Sequence, residues 1–127
     1  MSSNSKILIL DDDEDLLEMV TFILSKKQFN VTPIKHWEKI YESIKNFSPD
    51  IILMDIYLGT MDGRQLCRKL KEDPDFHAIP IILYSAGNIT QDSIKESLSS
   101  DFIIKPFDID FLIAKITLYL GNEPLLK

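Results

Sequence analysis

The sequence predicts an α/β fold built on a parallel β-sheet with helices on both faces. Four short apolar runs are continuous rather than alternating, which is typical of strands buried on both faces of such a sheet. These runs are residues 7–10, 51–54, 81–84 and 102–104. Segments whose apolar residues have helical spacing follow the strands, so the order βαβαβαβαβα favours an open α/β sheet.

A fifth strand carries a weaker signal, between the first and second helical segments. Residues 29–34 include Val31 and Thr32, which favour strands, but also Pro33. Because proline has no backbone N–H to donate to a neighbouring strand, we expect this strand to lie near an edge of the sheet or to end at Pro33.

The helices are predicted from apolar residues spaced three or four positions apart. The stripes are Leu16, Leu17, Val20, Ile23 and Leu24; Trp37, Ile40, Tyr41 and Ile44; Leu66, Cys67 and Leu70; and Ile109, Leu112, Ile113, Ile116 and Leu120. Between Ile89 and Leu98 the stripe is the poorest. Gly121 and Pro124 are expected to end the last helix, so we expect a single domain over residues 1–127 with no output domain.

Composition excludes several classes of protein. Against 14 Lys and Arg the chain has 20 Asp and Glu, a net charge of −6, which argues against direct binding of nucleic acid. The single cysteine, Cys67, cannot form an internal disulfide. The first six residues do not resemble a signal peptide, and no apolar run approaches the roughly 20 residues of a membrane span. We therefore expect a cytoplasmic chain with no membrane contact.

Polar residues follow four of the predicted strands. Asp11 and Asp12 follow the first run, and Asp55, Ser85 and Lys105 each follow one of the other three. In open α/β sheets, ligands bind in the crevice outside the carboxyl ends of the strands. We therefore expect three carboxylates, a hydroxyl and an ammonium group at one edge of the sheet.

Each of these residues also has a purely structural interpretation. The acidic run 11–15 could cap the first helix, Ser85 could be a turn residue, and Lys105 could be solvated. Asp55 is harder to explain in this way, because it ends a strand that should be buried and an unpaired buried carboxylate is costly. Together, the four strand ends favour a functional site.

The predicted cluster of charges indicates a chemistry. Three converging carboxylates repel one another, so at least one should have a raised pKa unless a cation is present. Lys105 supplies one positive charge, and Mg²⁺ suits a site with few carboxylates and several retained waters. A metal-bound carboxylate beside an ammonium and a hydroxyl is suited to accept a phosphoryl group.

Four segments resemble the receiver domain of two-component response regulators. They are ILILDDDEDLL (residues 7–17), DIILMDIYLGTMDG (50–63), IPIILYSA (79–86) and DFIIKPF (101–107). The resemblance implies a flavodoxin-like (βα)5 three-layer sandwich with a parallel five-stranded sheet in the order 2-1-3-4-5. It implies a phosphorylation-activated switch, not an enzyme beyond its own phosphorylation and dephosphorylation. The implied donor is a histidine kinase or a histidine phosphotransfer protein, and the implied output is contact with a downstream protein.

The resemblance also implies a role for each residue. The implied phosphoacceptor is Asp55, and the implied Mg²⁺ ligands are Asp11 (through water), Asp12, Asp55 and the backbone carbonyl of Tyr57. The implied switch and phosphate-binding residues are Ser85, Lys105 and Phe102, and the bond from Lys105 to Pro106 is a candidate cis peptide.

The sequence departs from the family pattern at several positions. Gly59 stands where the family often has proline, and Leu98-Ser99 replaces a common Gly-Ala pair. The segment from Ser85 to Lys105 is about two residues short, so we expect an abbreviated or irregular fourth helix and an altered output face. Tyr57 and Gly87 occupy positions that tune dephosphorylation in the family, and the sequence leaves the direction of their effect open.

Two other functions remain open from the sequence. A haloacid-dehalogenase-type phosphatase would use Asp11 as the nucleophile and Asp13 as the acid/base, although Asp15 stands where that signature has Thr or Val. An interaction module independent of phosphorylation would have no use for mutually repelling carboxylates. A calcium loop starting at Asp11 is excluded, because its sixth and twelfth positions are Leu16 and Phe22.

Overall fold

The computed structural model describes residues 5–87, 89–105 and 108–121, so the predicted cis peptide at Pro106 lies outside the described residues. The elements in chain order are β1 (Lys6–Leu10), α1 (Glu14–Lys26), β2 (Asn30–Ile34), a 3-10 helix (Trp37–Lys39), α2 (Ile40–Phe47), β3 (Ile51–Asp55), β4 (Tyr57–Leu58), β5 (Met61–Asp62), α3 (Gly63–Glu72), β6 (Ile81–Ser85), α4 (Gln91–Ser97), β7 (Asp101–Ile104) and α5 (Ile109–Tyr119). Among the described residues, none of the helices combines the length and apolar character that crossing a membrane requires.

The main sheet has five strands in the order β2-β1-β3-β6-β7, and every pairing in it is parallel. Without the separate two-stranded β4–β5 pair, this is the predicted order 2-1-3-4-5 of a flavodoxin-like sheet. β2 is an edge strand and holds Pro33 opposite Ile9, as the proline predicted. The strand order reverses between β1 and β3, which is where sheets of this kind form a binding crevice.

The sheet separates two apolar cores, which confirms the predicted layer of helices on each face. Helices α2 and α3 cover one face, and α1 and α5 cover the other. The face under α1 and α5 includes Ile7, Ile9, Ile51, Leu53, Ile82, Tyr84 and Ile103. Because side chains alternate along a strand, Asp11, Asp55 and Lys105 continue this face at the carboxyl ends of β1, β3 and β7.

A short hairpin after β3 was not predicted. β4 and β5 pair in antiparallel fashion across a two-residue turn, in which Gly59 has a φ of 75°. Two-residue hairpins require a positive φ at the first turn position, whereas proline is held near −65°. The family's common proline could not adopt the φ that Gly59 has in this turn.

One helix differs in detail from the predicted stripes, and the fourth is short as predicted. The stripe that starts at Trp37 begins as the 3-10 turn, and α2 itself starts at Ile40. The fourth helix has seven residues, as the short segment predicted, and it ends at Leu98 with a left-handed φ of 65°. Arg68 in α3 holds α4 by donating to the Glu96 carbonyl at 2.8 Å.

Candidate functional site

The three predicted acids meet at the carboxyl edge of the sheet. One carboxylate oxygen from each of Asp11, Asp12 and Asp55 lies within 4.8 Å of the others. Asp11 is fully buried, Asp55 is 5% exposed and Asp12 is exposed. The predicted convergence is confirmed, and the arrangement brings two buried carboxylates beside one that faces solvent.

The structure separates Asp13 from this cluster. The Asp13 carboxylate caps α1 by accepting from the backbone N–H groups of Asp15 at 3.1 Å and Leu16 at 3.2 Å. The capping interpretation of the acidic run therefore holds for Asp13. Of the acidic run, only Asp11 and Asp12, which precede the cap, belong to the cluster with Asp55.

Both oxygens of the Asp11 carboxylate accept hydrogen bonds. Oδ1 accepts from the Asp13 N–H at 2.9 Å. Oδ2 accepts from the Tyr84 hydroxyl at 2.8 Å and from the Lys105 ammonium at 3.5 Å. These contacts explain how a fully buried carboxylate is tolerated, because buried charges need hydrogen-bond partners and a counterion.

The Asp55 carboxylate is held from two sides. Oδ1 accepts from the Tyr57 N–H at 3.2 Å, and Oδ2 accepts from the Lys105 ammonium at 3.2 Å. Burial, and then the nearby Asp11 charge, raise the pKa of Asp55 to about 6, against the opposing effect of Lys105 and the Tyr57 N–H. The predicted rise in pKa is therefore found on Asp55.

Lys105 bridges the two buried acids. Its side chain is only 18% exposed, and its ammonium lies 4.9 Å from the centre of the Tyr84 ring. One ammonium balances only part of the charge of three carboxylates. An all-oxygen donor set with excess negative charge fits a hard divalent cation.

Ser85 and Phe102 lie on the opposite face of the sheet from Asp55. Ser85 is buried at the end of β6, and its Oγ accepts from the Gly87 N–H at 3.2 Å. Phe102 is half-buried against the core under α2 and α3 and pairs in register with Leu83. Ser85 thus reaches the carboxyl edge, whereas Phe102 lies further down the sheet from the acids.

Tyr57 and Gly87 are neighbours in space. Tyr57 is 54% exposed, and a Cβ placed on Gly87 would lie 2.6 Å from the Tyr57 hydroxyl oxygen. The Tyr57 ring therefore depends on the absence of a side chain at Gly87. The backbone of Tyr57 contacts the site, because the Tyr57 N–H donates to the Asp55 carboxylate.

Sequence reasoning missed two residues that shape the site. Tyr84 was assigned only to a strand, although it continues the same face as Asp55 and could have been found by alternation. Gly63 was not singled out, yet a Cβ there would lie 2.3 Å from the Asp55 carbonyl oxygen and 2.9 Å from the Ile56 Cα. No sequence signal besides glycine itself indicates this close backbone approach.

The geometry does not favour the phosphatase alternative. Asp11, which would be the nucleophile, is fully buried and accepts hydrogen bonds on both oxygens. Asp13, which would be the acid/base, is engaged as the cap of α1. Asp11 and Asp13 therefore do not form the accessible nucleophile and acid/base that phosphatase chemistry needs.

Comparison of the sequence with known protein families identifies a family that is consistent with the geometry of this site. The sequence profile of the response regulator receiver domain matches residues 7–117. The chain therefore belongs to the receiver domains of two-component response regulators, a family phosphorylated on aspartate. The matched family is a signalling domain.

Individual relatives and solved structures show the same likeness. The DNA-binding response regulator MtrA of Mycobacterium tuberculosis is 33% identical over 113 residues, which are 87% of this chain and 48% of MtrA. A putative response regulator from Chloroflexus aurantiacus superposes with a TM-score of 0.86 at 26% identity, covering 94% of this chain and 99% of that one. The BeF3-activated receiver domain of Klebsiella pneumoniae RstA gives 0.81 at 28% identity, covering 91% and 98%. The chain spans about half the length of MtrA.

Proposed function

We propose that the chain accepts a phosphoryl group on Asp55 from a phosphohistidine donor, with Mg²⁺ bound, and signals through protein contacts. The observation that carries this proposal is the contact of the Asp55 carboxylate with the Lys105 ammonium at 3.2 Å, beside Asp11 and Asp12. The donor would be a histidine kinase or a histidine phosphotransfer protein.

The described residues suggest how Mg²⁺ would be held. Asp12 and Asp55 would be direct ligands, together with the backbone carbonyl of Tyr57. Asp11 would act through water, which agrees with the hydrogen bonds that both its oxygens already accept. When bound, the ion supplies positive charge that offsets the negative charge of the transferring phosphoryl group.

The phosphoryl transfer itself needs little covalent machinery. Because the pKa of Asp55 is about 6, its carboxylate is largely ionised at pH 7 and can act as a nucleophile. A carboxylate oxygen forms a bond to phosphorus while the phosphorus–nitrogen bond of the donor breaks, and its electron pair stays on the imidazole nitrogen. Lys105 would offset the charge of the phosphoryl oxygens, and the Ser85 hydroxyl would donate a hydrogen bond to one of them.

The response would travel through the sheet face opposite Asp55. Ser85 and Phe102 share that face, so movement of Ser85 towards the phosphoryl group would free space for Phe102 to rotate. Such a rotation would change the surface formed by β7 and α5. In this proposal the 127 residues act as one receiver domain in the cytoplasm, with a protein partner and without direct contact with nucleic acid.

A phosphorylation assay tests the assignment of Asp55. Wild type, Asp55→Asn and the matched control Asp13→Asn are treated with phosphoramidate and Mg²⁺, and the intact mass is measured. Wild type and Asp13→Asn should gain a phosphoryl group, since asparagine also caps helices. Asp55→Asn should gain none, and equal incorporation in that variant would overturn the proposal.

A metal titration separates this function from an interaction module. If the acids form a cation site, millimolar Mg²⁺ should raise the Tm of the wild-type protein, because a ligand that binds only the native state stabilises it. An unchanged Tm would favour a module that works without phosphate chemistry.

A further inference from the structure

Tyr84 is a buried tyrosine directly beneath the proposed phosphorylation site. It pairs in register with Asp55 on the neighbouring strand β3, and it is 1% exposed. Both side chains belong to the sheet face under α1 and α5. Apart from Asp11, Asp55 and Lys105, the buried neighbours on this face are apolar, so the Tyr84 hydroxyl needs a specific hydrogen-bond partner.

That partner lies two strands away. The Tyr84 hydroxyl donates to Asp11 Oδ2 at 2.8 Å, although β3 separates β6 from β1. Neighbouring strands lie about 4.8 Å apart, so the side chain must reach across the strand that carries Asp55. Among the common apolar and aromatic side chains, only tyrosine combines this length with a hydroxyl at its tip.

Tyr84 also contacts the cation of the site. The Lys105 ammonium lies 4.9 Å from the Tyr84 ring centre, within the range of a cation–π interaction. The same ammonium contacts Asp11 and Asp55. Tyr84 therefore fixes Asp11 through its hydroxyl and supports Lys105 through its ring.

We propose that Tyr84 is a positioning residue that orients the Asp11 carboxylate for binding of a divalent cation. The inference rests on the proposed function, since it assigns Asp11 to the cation site. With Oδ2 held by Tyr84 and Oδ1 held by the Asp13 N–H, the Asp11 carboxylate has one fixed orientation. Without the hydroxyl, the carboxylate would lose its shortest contact and its fixed plane.

The test is the Tyr84→Phe variant, which keeps the ring beneath Lys105 and removes only the hydroxyl. Its matched control is Tyr119→Phe in α5. The Tyr119 hydroxyl also donates to a carboxylate, that of Asp101, with a distance of 3.0 Å to Oδ2. The dissociation constant of Mg²⁺ is measured by titration calorimetry on each unphosphorylated protein. Outer partners of metal ligands typically change metal affinity by about 10- to 100-fold, so Tyr84→Phe should bind Mg²⁺ at least about tenfold more weakly.

The control separates positioning from a loss of stability. Both variants should unfold at lower urea without metal, because each loses a hydrogen bond to a carboxylate, buried for Tyr84 and part-buried for Tyr119. Only Tyr84→Phe should lose Mg²⁺ affinity. Equal affinity in wild type and Tyr84→Phe, or equal losses in the two variants, would overturn the role of Tyr84.

A second measurement covers failure of Tyr84→Phe to fold. Wild-type protein carrying 3-fluorotyrosine has four tyrosines, whose fluorine signals are assigned by replacing Tyr41, Tyr57 and Tyr119. The Tyr84 signal should shift on addition of Mg²⁺ while the Tyr119 signal stays in place, and an unmoved Tyr84 signal would overturn the inference. Phosphorylation of wild type but not of Asp55→Asn would leave the proposed function intact in that case.

Discussion

Replacing Asp55 with asparagine should stabilise the metal-free protein at pH 7. Burial and the neighbouring Asp11 raise the pKa of Asp55 from 3.8 to about 6, even though Lys105 lies 3.2 Å away. The folded protein therefore holds the proton of Asp55 more tightly than the unfolded chain does. Asparagine has a similar shape and carries no charge at any pH, so it avoids the cost of ionisation.

The size and sign of this effect follow from the shift in pKa. Between about pH 4 and pH 6 the native state binds more protons than the unfolded state, so the free energy of unfolding falls as pH rises. The stability contributed by the protonated form is fully present below about pH 4 and is lost above about pH 6. From 3.8 to about 6 the shift corresponds to about 3 kcal/mol, which is the largest gain expected for Asp55→Asn at pH 7.

The assay is urea unfolding followed by circular dichroism, with a chelator present, from about pH 4 to pH 7.5. Asp55→Asn should exceed wild type most at neutral pH, and the difference should shrink towards pH 4. Asp101→Asn is a control of opposite sign. Burial acts to raise the pKa of Asp101, but hydrogen bonds from Lys115, the Phe102 N–H and Tyr119 outweigh it and lower the pKa.

The control variant Asp101→Asn should show the opposite dependence of stability on pH. A carboxylate with a lowered pKa contributes stability that is present above its unfolded pKa and is lost as pH falls. Asp101→Asn should therefore be less stable than wild type at pH 7, with a deficit that shrinks in acid. Coincident unfolding curves for wild type and Asp55→Asn at pH 7 without metal would refute the argument for Asp55.

Three further predictions concern the frame of the site. Gly63→Ala should lower the free energy of unfolding by roughly 1–3 kcal/mol in urea titrations, because the new Cβ would lie 2.3 Å from the Asp55 carbonyl oxygen; an unchanged midpoint would contradict this. Gly59→Pro should lower the Tm by disrupting the β4–β5 hairpin, since proline cannot adopt the φ of 75° found there, and a higher Tm would count against that turn. Cys67 is buried, and burial raises the pKa of its thiol to about 12. Alkylation by iodoacetamide, followed by mass spectrometry, should therefore be negligible in the native protein and rapid in urea, and fast native labelling would contradict the packing.

Much of the fold could be predicted because its strands are buried on both faces. Continuous apolar runs such as 51–54 are typical of central parallel strands. Pro33 predicted that β2 would lie near an edge or end at the proline, and β2 is an edge strand that continues to Ile34. The acids of the site could be predicted for a related reason. A carboxylate at the end of a buried strand, as at Asp55, costs free energy unless it is paired, so its presence there indicates a functional site.

The remaining features depend on contacts that the sequence does not display. The β4–β5 hairpin has a positive φ at Gly59. The Trp37 indole N–H also donates to the Thr60 hydroxyl of its turn at 3.4 Å, although the two residues are far apart in the sequence. The bond from Tyr84 to Asp11 joins residues 73 positions apart and spans an intervening strand. Alternation could have placed both residues on one face, but only the coordinates show that the Tyr84 hydroxyl reaches the Asp11 carboxylate.

The charge balance of the site links stability to signalling. Without a cation, one ammonium is shared by two buried carboxylates, which leaves a deficit of positive charge. Burial first, and then the Asp11 charge, raise the pKa of Asp55. Phosphorylation would replace a single negative charge on Asp55 with roughly −1.5 to −2, so the deficit would grow. In the proposed function, a divalent cation would then bind the phosphorylated form more tightly, and by thermodynamic reciprocity it would favour phosphorylation by the same factor. In the proposed function, the residues that make the metal-free fold less stable are therefore those that would couple phosphorylation to cation binding.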